Sequence, residues 1–380
     1  MSDGKPRGSR LGRGGRRTVT RKREAVVTSV LKYFRAAYRR TLRVARLISS
    51  PLANLVYWVE YRASTPLLPS GEAGIGSSSN SRMPIDLSVI ICVVAGPNDD
   101  LGIRDLLNSA RCYLGSSYRV IVTDDSGGLR IARVTREFKE VDYLRNWKLR
   151  GIKGLDNSLR RAFSYALQNY RFDAVLRIDA DALITGHGLI EDIIGYLKTH
   201  PEAGMLGSYR ETCTGAIRDF RPIAQQFDKN PEYWRSLLQK ATQYGYVLGE
   251  HAQGGAYVVS YNCLQAMASA GLLAPRRGRT TFVSEDGIFS LYVRALGYEI
   301  HDFARTGPFA IAWRGLPLSP EEITTQGKKV VHSVKYSKDD LRIRDYFREF
   351  RVRAGYWEHA AAVEAGSTSE TGTHVQGGHG

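Results

Sequence analysis

The chain has 380 residues, 43% hydrophobic and 24% charged, a balance that excludes a collagenous or wholly disordered protein and leaves room for one large or two ordinary domains. Its net charge of +16 is local: residues 1–50 hold 15 Lys and Arg against Asp3 and Glu24, a net of +13, which leaves +3 for the other 330 residues. The cysteines Cys92, Cys112, Cys213 and Cys263 show no CxxC or CxxH spacing, which argues against a zinc site or disulfide framework and fits a reducing compartment. No run of 18 apolar residues and no secretory apolar region at the start are found, so no transmembrane helix is expected.

In chain order, residues 1–24 read as a disordered basic tail. Residues 25–63 read as a cationic amphipathic segment. Val27, Val30, Leu31, Phe34, Tyr38, Leu42, Ala45 and Ile48 recur at helical steps among Lys32, Arg35, Arg39, Arg43 and Arg46. Ser50-Pro51 then opens a short aromatic helix over Leu52 to Tyr61. Residues 64–85, with Pro, Gly and a serine run, are a linker. Residues 86–355 form the expected folded domain, and residues 356–380 a polar, largely disordered tail.

Within the body, Leu87–Ala95 is an almost unbroken apolar run, as in a strand buried on both faces. A helix over Leu101–Leu114, a strand over Tyr118–Thr123, a helix over Arg130–Lys139 and a strand near Tyr143 follow. A longer helix from about Asp156 to Tyr170 leads to a strand over Ala174–Ile178. This alternation predicts a mostly parallel, Rossmann-like α/β sheet with right-handed helical crossovers.

Ligands of such sheets bind at the carboxyl ends of the strands. Three strands here end in polar groups: Gly96-Pro97-Asn98-Asp99, Asp124-Asp125-Ser126-Gly127 and Asp179-Ala180-Asp181. Asp179 and Asp181 are two residues apart and point to one side of an extended chain. Two such charges about 4 Å apart repel by about 4 kcal/mol at an effective dielectric near 20, a penalty that Mn²⁺ or Mg²⁺ removes. A solvated turn, or an N-cap for a helix near Gly188, is the competing reading. Ser284-Glu285-Asp286 precedes an apolar helical stretch, so it reads either as an N-cap or as a general base whose burial raises its pKa. His332 reads either as a buried residue of a short strand or as a metal ligand. The stretch from Trp313 to Gly327 reads as a loop able to close over a ligand.

The ordered set SVIICVVAGPN, VIVTDDSGG, KGLDNSLRRAFSYA, VLRIDADALI, QGGAYVVS and SEDGIFSLYVRALGYEI resembles the family 2 glycosyltransferases and their inverting GT-A relatives, over roughly residues 86–303. The resemblance implies a GT-A fold: a single catalytic domain, here behind an N-terminal helical arm. It also implies transfer of a sugar from a nucleotide-diphosphate sugar, with UDP the expected carrier, to a hydroxyl of a glycan, glycolipid or protein. Carried over, it implies that Asp125, with Asp124 beside it, accepts from the donor's base. It makes Asp179 and Asp181 the holders of the metal that bridges the diphosphate, with His332 as a third ligand. Lys153 becomes a phosphate contact, and Gly254-Gly255 a place of close backbone approach. In the Glu285-Asp286 pair, the second acid is the base. The family's usual Asn in the long helix is replaced near Arg160. Retaining GT-A enzymes share Asp-X-Asp, so a retaining reaction stays open, as does nucleotidyl transfer.

For the basic arm, residues 25–63 fit an anionic membrane surface, which implies a cytoplasmic enzyme peripheral to the membrane's cytoplasmic face. A transit peptide, a helix packed on the enzyme itself, and nucleic-acid binding compete with that reading. A purely nucleic-acid-binding protein would leave the acidic motifs unexplained.

Overall fold

The computed structural model describes residues 85–146, 154–274, 282–336 and 338–356. The basic tail, the amphipathic segment, the linker up to residue 84, Lys153 and the tail from residue 357 lie outside the described residues.

The strands are β1 (Ile85–Asp86), β2 (Val89–Ala95), β3 (Tyr118–Asp124), β4 (Val141–Arg145), β5 (Tyr170–Arg171), β6 (Ala174–Asp179), β7 (Leu183–Ile184), β8 (Ala203–Gly207), β9 (Ala256–Ser260), β10 (Glu299–Asp302), β11 (Phe309–Ile311) and β12 (Val330–His332). Seven build the main sheet in the order β10-β8-β9-β6-β2-β3-β4. All its pairings are parallel except those of β9, which runs antiparallel to both β6 and β8. This is the mostly parallel α/β sheet that the alternating elements predict.

Strand alternation divides the core. Val89, Ile91, Val93 and Ala95 of β2 enter one apolar layer, while Ile90 and Cys92 enter the other. Both layers are covered by helices, so β2 is buried except at half-buried Val94 and needs no polar face. Helix Asp100–Tyr113 covers the first layer, and helices Leu155–Asn169 and Glu285–Ala295 cover the second. All four cysteines are buried and none forms a disulfide.

Two elements depart from the sequence reading. The helix expected to reach Lys139 stops at Thr135, where turns bonded from Glu137 N to Val134 O and from Phe138 N to Thr135 O drop Phe138 into the core. The expected loop between Trp313 and Gly327 contains helix Pro320–Thr325, started by a Ser319/Glu322 capping box with proline in its first turn.

A second sheet, β11-β12-β7, matters for the site. β7 follows Asp179-Ala180-Asp181 directly and pairs antiparallel with β12, Leu183 opposite Val331. That register carries the next residue of β12, His332, back alongside the turn after β6.

Candidate active site

The carboxyl ends of β2, β3 and β6 are flush: Ala95 pairs with Asp124 and Val94 with Asp179. The strand-end acids therefore lie along one edge, on either side of β2. Neighbouring strands are about 4.8 Å apart, so Asp124 and Asp179 flank a gap about 10 Å wide.

On the β3 side, Asp124 accepts from Ser126 N at 2.8 Å and from Tyr143 Oη at 2.6 Å. Asp125 accepts from Asn146 Nδ2 at 2.8 Å and from Ser158 Oγ at 2.7 Å. Burial outweighs these bonds and pushes the Asp125 carboxyl up to about 6. Asn146 lies at the end of β4 and Ser158 near the start of helix Leu155–Asn169, so three elements fix this one carboxylate.

On the β6 side, Asp179, Asp181 and His332 each bring a ligand atom within 4.8 Å of the others. His332 Nε2 is 3.1 Å from Asp181 Oδ1 and 3.4 Å from Asp179 Oδ2. Burial opposes charge on the imidazole, but its bonds to the two carboxylates prevail and lift its pKa to about 9. Two hard carboxylate oxygens and an imidazole nitrogen suit Mn²⁺ or Mg²⁺, so the donor set fits a divalent metal. Neither acid caps a helix: the N-cap before helix Leu189–Thr199 is Gly188, in a left-handed conformation with no side-chain bond. The two readings of His332 are compatible, since it is buried in a short strand and faces both carboxylates.

The third group arrives through Arg177. On β6 the side chains at 175, 177 and 179 alternate onto the layer that helix Glu285–Ala295 covers. There Arg177, 2% exposed, places Nη2 at 2.7 Å from Asp179 Oδ1 and 2.8 Å from Glu285 Oε1. Glu285 is buried, and its carboxyl is raised to about 8 by desolvation, against the pull of Arg177. Asp286, its neighbour, keeps 13% of its side chain exposed. It accepts from Gly254 N and Gly287 N at 2.9 Å each and from Ser284 Oγ.

The sequence reading expected Asp286 to have a raised pKa. Burial does push it up, but the His251 imidazole when it is charged and the bonds from Ser284, Gly254 and Gly287 outweigh burial and lower it. Ser284 occupies the N-cap position, yet its hydroxyl bonds Asp286 rather than the helix backbone. Behind Asp286, His251 Nδ1 bonds Gly249 O at 2.8 Å and Nε2 meets Arg218 Nη2 at 2.9 Å. Those partners require the neutral tautomer protonated on Nδ1, in line with a pKa lowered by burial.

Gly254 and Gly255 reach this edge because β9 is antiparallel: its start lies beside the end of β6, where Asp179 N donates to Gly255 O at 2.8 Å. Gly255 has φ +108°, and a Cβ there would come within 2.2 Å of His332 Nδ1. The close approach is to the protein's own imidazole.

The structure thus brings Asp124, Asp125, Asp179, Asp181, Glu285, Asp286, Gly254, Gly255 and His332 to one edge of the sheet, while Lys153 lies outside the described residues. Sequence reasoning missed Arg177, Asn146, Ser158 and Arg218. Only Arg177 carried a signal: it is a lone charge in the apolar AVLRI run, two residues before Asp179 and hence on its face.

Residues 88–252 match the family described as glycosyl transferase family 2. No curated protein sequence matches the chain. Among solved structures, the chain is similar to the apo bifunctional glycosyltransferase WbbM at 14% identity and TM-score 0.40, covering 74% of this chain and 52% of that one. It thus spans about half the length of WbbM. It is also similar to galactosyltransferase LgtC in complex with donor and acceptor sugar analogues (12%, TM-score 0.39, 70% and 95% covered). A third is the mannosyltransferase PcManGT from Pyrobaculum calidifontis in complex with GDP-Man and Mn²⁺ (13%, TM-score 0.38, 82% and 74% covered). The family match covers 165 of the 380 residues and falls within the mostly parallel α/β sheet and its helices. The matched stretch runs from β2 to the turn before β9.

Proposed function

We propose that this enzyme transfers a sugar from a nucleotide-diphosphate sugar, with uridine as the base, to a hydroxyl acceptor, inverting the anomeric centre with the help of Mn²⁺ or Mg²⁺. The observation that carries the reading is the convergence of Asp179, Asp181 and His332 beside Asp286 at the carboxyl edge of the sheet. Asp125 accepts from the N–H of the base, with Asn146 and Ser158 holding it in place.

Asp179, Asp181 and His332 would hold the divalent ion, which when bound neutralises charge on the departing diphosphate. Asp286 takes the proton of the acceptor hydroxyl as its oxygen bonds the anomeric carbon and the bond to the diphosphate breaks on the opposite face. The lowered pKa of Asp286 keeps it ionised and ready to accept that proton at neutral pH. Glu285 is buried against Arg177 with its carboxyl raised to about 8 by desolvation, which leaves the more exposed Asp286 as the base. Lys153 retains its proposed phosphate contact.

The test is a thermal-shift screen of nucleoside diphosphates with Mn²⁺. Selective stabilisation by UDP, lost on Asp181→Ala or on adding EDTA, is expected; no stabilisation by any nucleotide would remove the reading. The acceptor is a glycan, glycolipid or protein hydroxyl. For the arm, the charge of +13 within residues 1–50 supports a peripheral place on the cytoplasmic face of an anionic membrane. Anionic vesicles should sediment the full chain but not one lacking residues 1–63, and equal binding of the two would end that part of the proposal.

A further inference from the structure

Asp181 and His332 belong to segments 151 positions apart in the sequence, and the backbone joins them one step beyond the side chains. Val334 N donates to Asp181 O at 2.9 Å. The carbonyl of the same Val334 is gripped from the other side by Arg344, through Nε at 2.7 Å and through Nη2. Arg344 also bonds Asp105 Oδ2 through Nη1, and Arg351, two turns further along helix Lys338–Arg353, bonds Asp105 Oδ1 at 2.6 Å. Asp105, Arg344 and Arg351 are all buried, both arginines fully.

Asp105 is itself anchored to the site. It lies on helix Asp100–Tyr113, whose Gly102 packs so close to the turn after β6 that a Cβ would fall 2.5 Å from Ala180 O. The contacts therefore close a ring: the Asp179-Ala180-Asp181 turn, the 100–113 helix, Asp105, Arg344, Val334, and back to Asp181. Stability alone is a weak reason for such a cluster, because well-packed apolar residues usually serve a buried position as well or better. What apolar residues cannot do is present a planar fork to one carbonyl while a third nitrogen binds a carboxylate.

We propose that Arg344 is a positioning residue of the candidate metal centre, setting the His332 imidazole against Asp179 and Asp181 through its grip on Val334. The inference rests on the reading of those three side chains as metal ligands, so the experiment separates the two. Mn²⁺ affinity is measured by calorimetry on the full chain for wild type, Arg344→Met, Arg351→Met, His332→Ala and the Arg344→Met/His332→Ala pair, with the Tm of each.

Partners that orient a metal ligand typically change affinity roughly 10–100-fold. Arg344→Met is expected to weaken Mn²⁺ binding by that factor. Arg351→Met should lower Tm while leaving affinity within about threefold of wild type. In the His332→Ala background, Arg344→Met should add no further loss of affinity although it still lowers Tm. Arg344→Lys keeps the charge on Asp105 but loses the fork, and shows the same loss of affinity should the methionine variant not fold. Wild-type affinity in a folded Arg344 variant, or an equal further loss without His332, overturns the inference. Wild-type affinity in His332→Ala overturns the ligand reading and this inference with it.

Discussion

Replacing Asp125 by Asn separates the stability of this enzyme from its proposed use. The carboxyl is 8% exposed and is shifted from 3.8 to about 6, with burial the dominant cause. A folded-state value above the unfolded one means that the native protein binds more protons between those limits, so stability from this group is present at low pH and lost as pH rises through about 6. At about 1.4 kcal/mol per pH unit, the cost of keeping Asp125 ionised above pH 6 is about 3 kcal/mol. Asparagine is nearly isosteric and can keep the local bonds. Its oxygen accepts from Asn146, and its amide donates to Ser158, whose hydroxyl turns to Gly154 O, 3.3 Å away. Asp125→Asn is therefore expected to be more stable than wild type by up to about 3 kcal/mol at pH 8, roughly 5–10 °C in Tm for a domain of this size. The gain should shrink towards zero near pH 4.

The same change removes the ionised acceptor for the nucleobase, a bond worth about 1.5–3 kcal/mol, so uridine should bind roughly 10–100-fold more weakly. Wild-type uridine affinity should itself decline below pH 6, and the Asn variant should show no such decline. Melting curves at several pH values and uridine calorimetry measure both effects. A lower Tm for the variant at pH 8, or a difference that does not change between pH 5 and 8, would refute the account of Asp125.

Three further outcomes are expected. Asp286→Asn should lower kcat roughly 10²–10⁴-fold with UDP and Mn²⁺ affinities retained, because Asp286 is not among the groups proposed to hold either, and should also lower Tm, because Gly254 N and Gly287 N bond different oxygens and one of them loses its acceptor; normal turnover would take the base role from Asp286. Gly255→Ala should cost about 1–3 kcal/mol for the backbone at φ +108° and displace His332, seen as a lower Tm together with weaker Mn²⁺ binding; an unchanged Mn²⁺ titration would show that the imidazole has room to move. Lys328, buried with its ammonium on the carbonyls of Ala304, Arg305 and Gly307, should on replacement by Met leave three acceptors unmatched. A loss of about 1–3 kcal/mol and faster hydrogen exchange over residues 304–307 are the readouts.

The sequence was most legible where a local pattern has one physical solution. The run from Val89 to Ala95 could only be a doubly covered strand, and the turn residues after it and after Tyr118–Asp124 and Ala174–Asp179 marked carboxyl ends that a parallel sheet must align. Asp179 and Asp181 were recognisable as an acidic pair at a strand end, but β6 stops at Asp179 and a turn with Ala182 N on Asp179 O, not extended chain, places both beside His332. The position of helix Leu155–Asn169 was read to within a residue. The short helix Pro320–Thr325 was missed although Ser319 and Glu322 were legible as a capping box, and Phe138 ended its helix early for the sake of a core contact no local pattern encodes.

What the sequence alone determined, then, is the alternation of strands and helices, the edge on which the acids gather and the concentration of basic charge in residues 1–50, because these follow from side-chain periodicity and from charge along a few tens of residues. The tertiary structure decided which acid is shut in and which can be reached, Glu285 being buried against Arg177 while Asp286 keeps 13% of its side chain exposed. It also decided that His332 meets Asp181, and that Arg344, 239 positions from Asp105, closes the ring behind them. Those pairings depend on where β9, β12 and the last helix pack, and packing over such separations is fixed by the fit of whole surfaces rather than by any short stretch of chain.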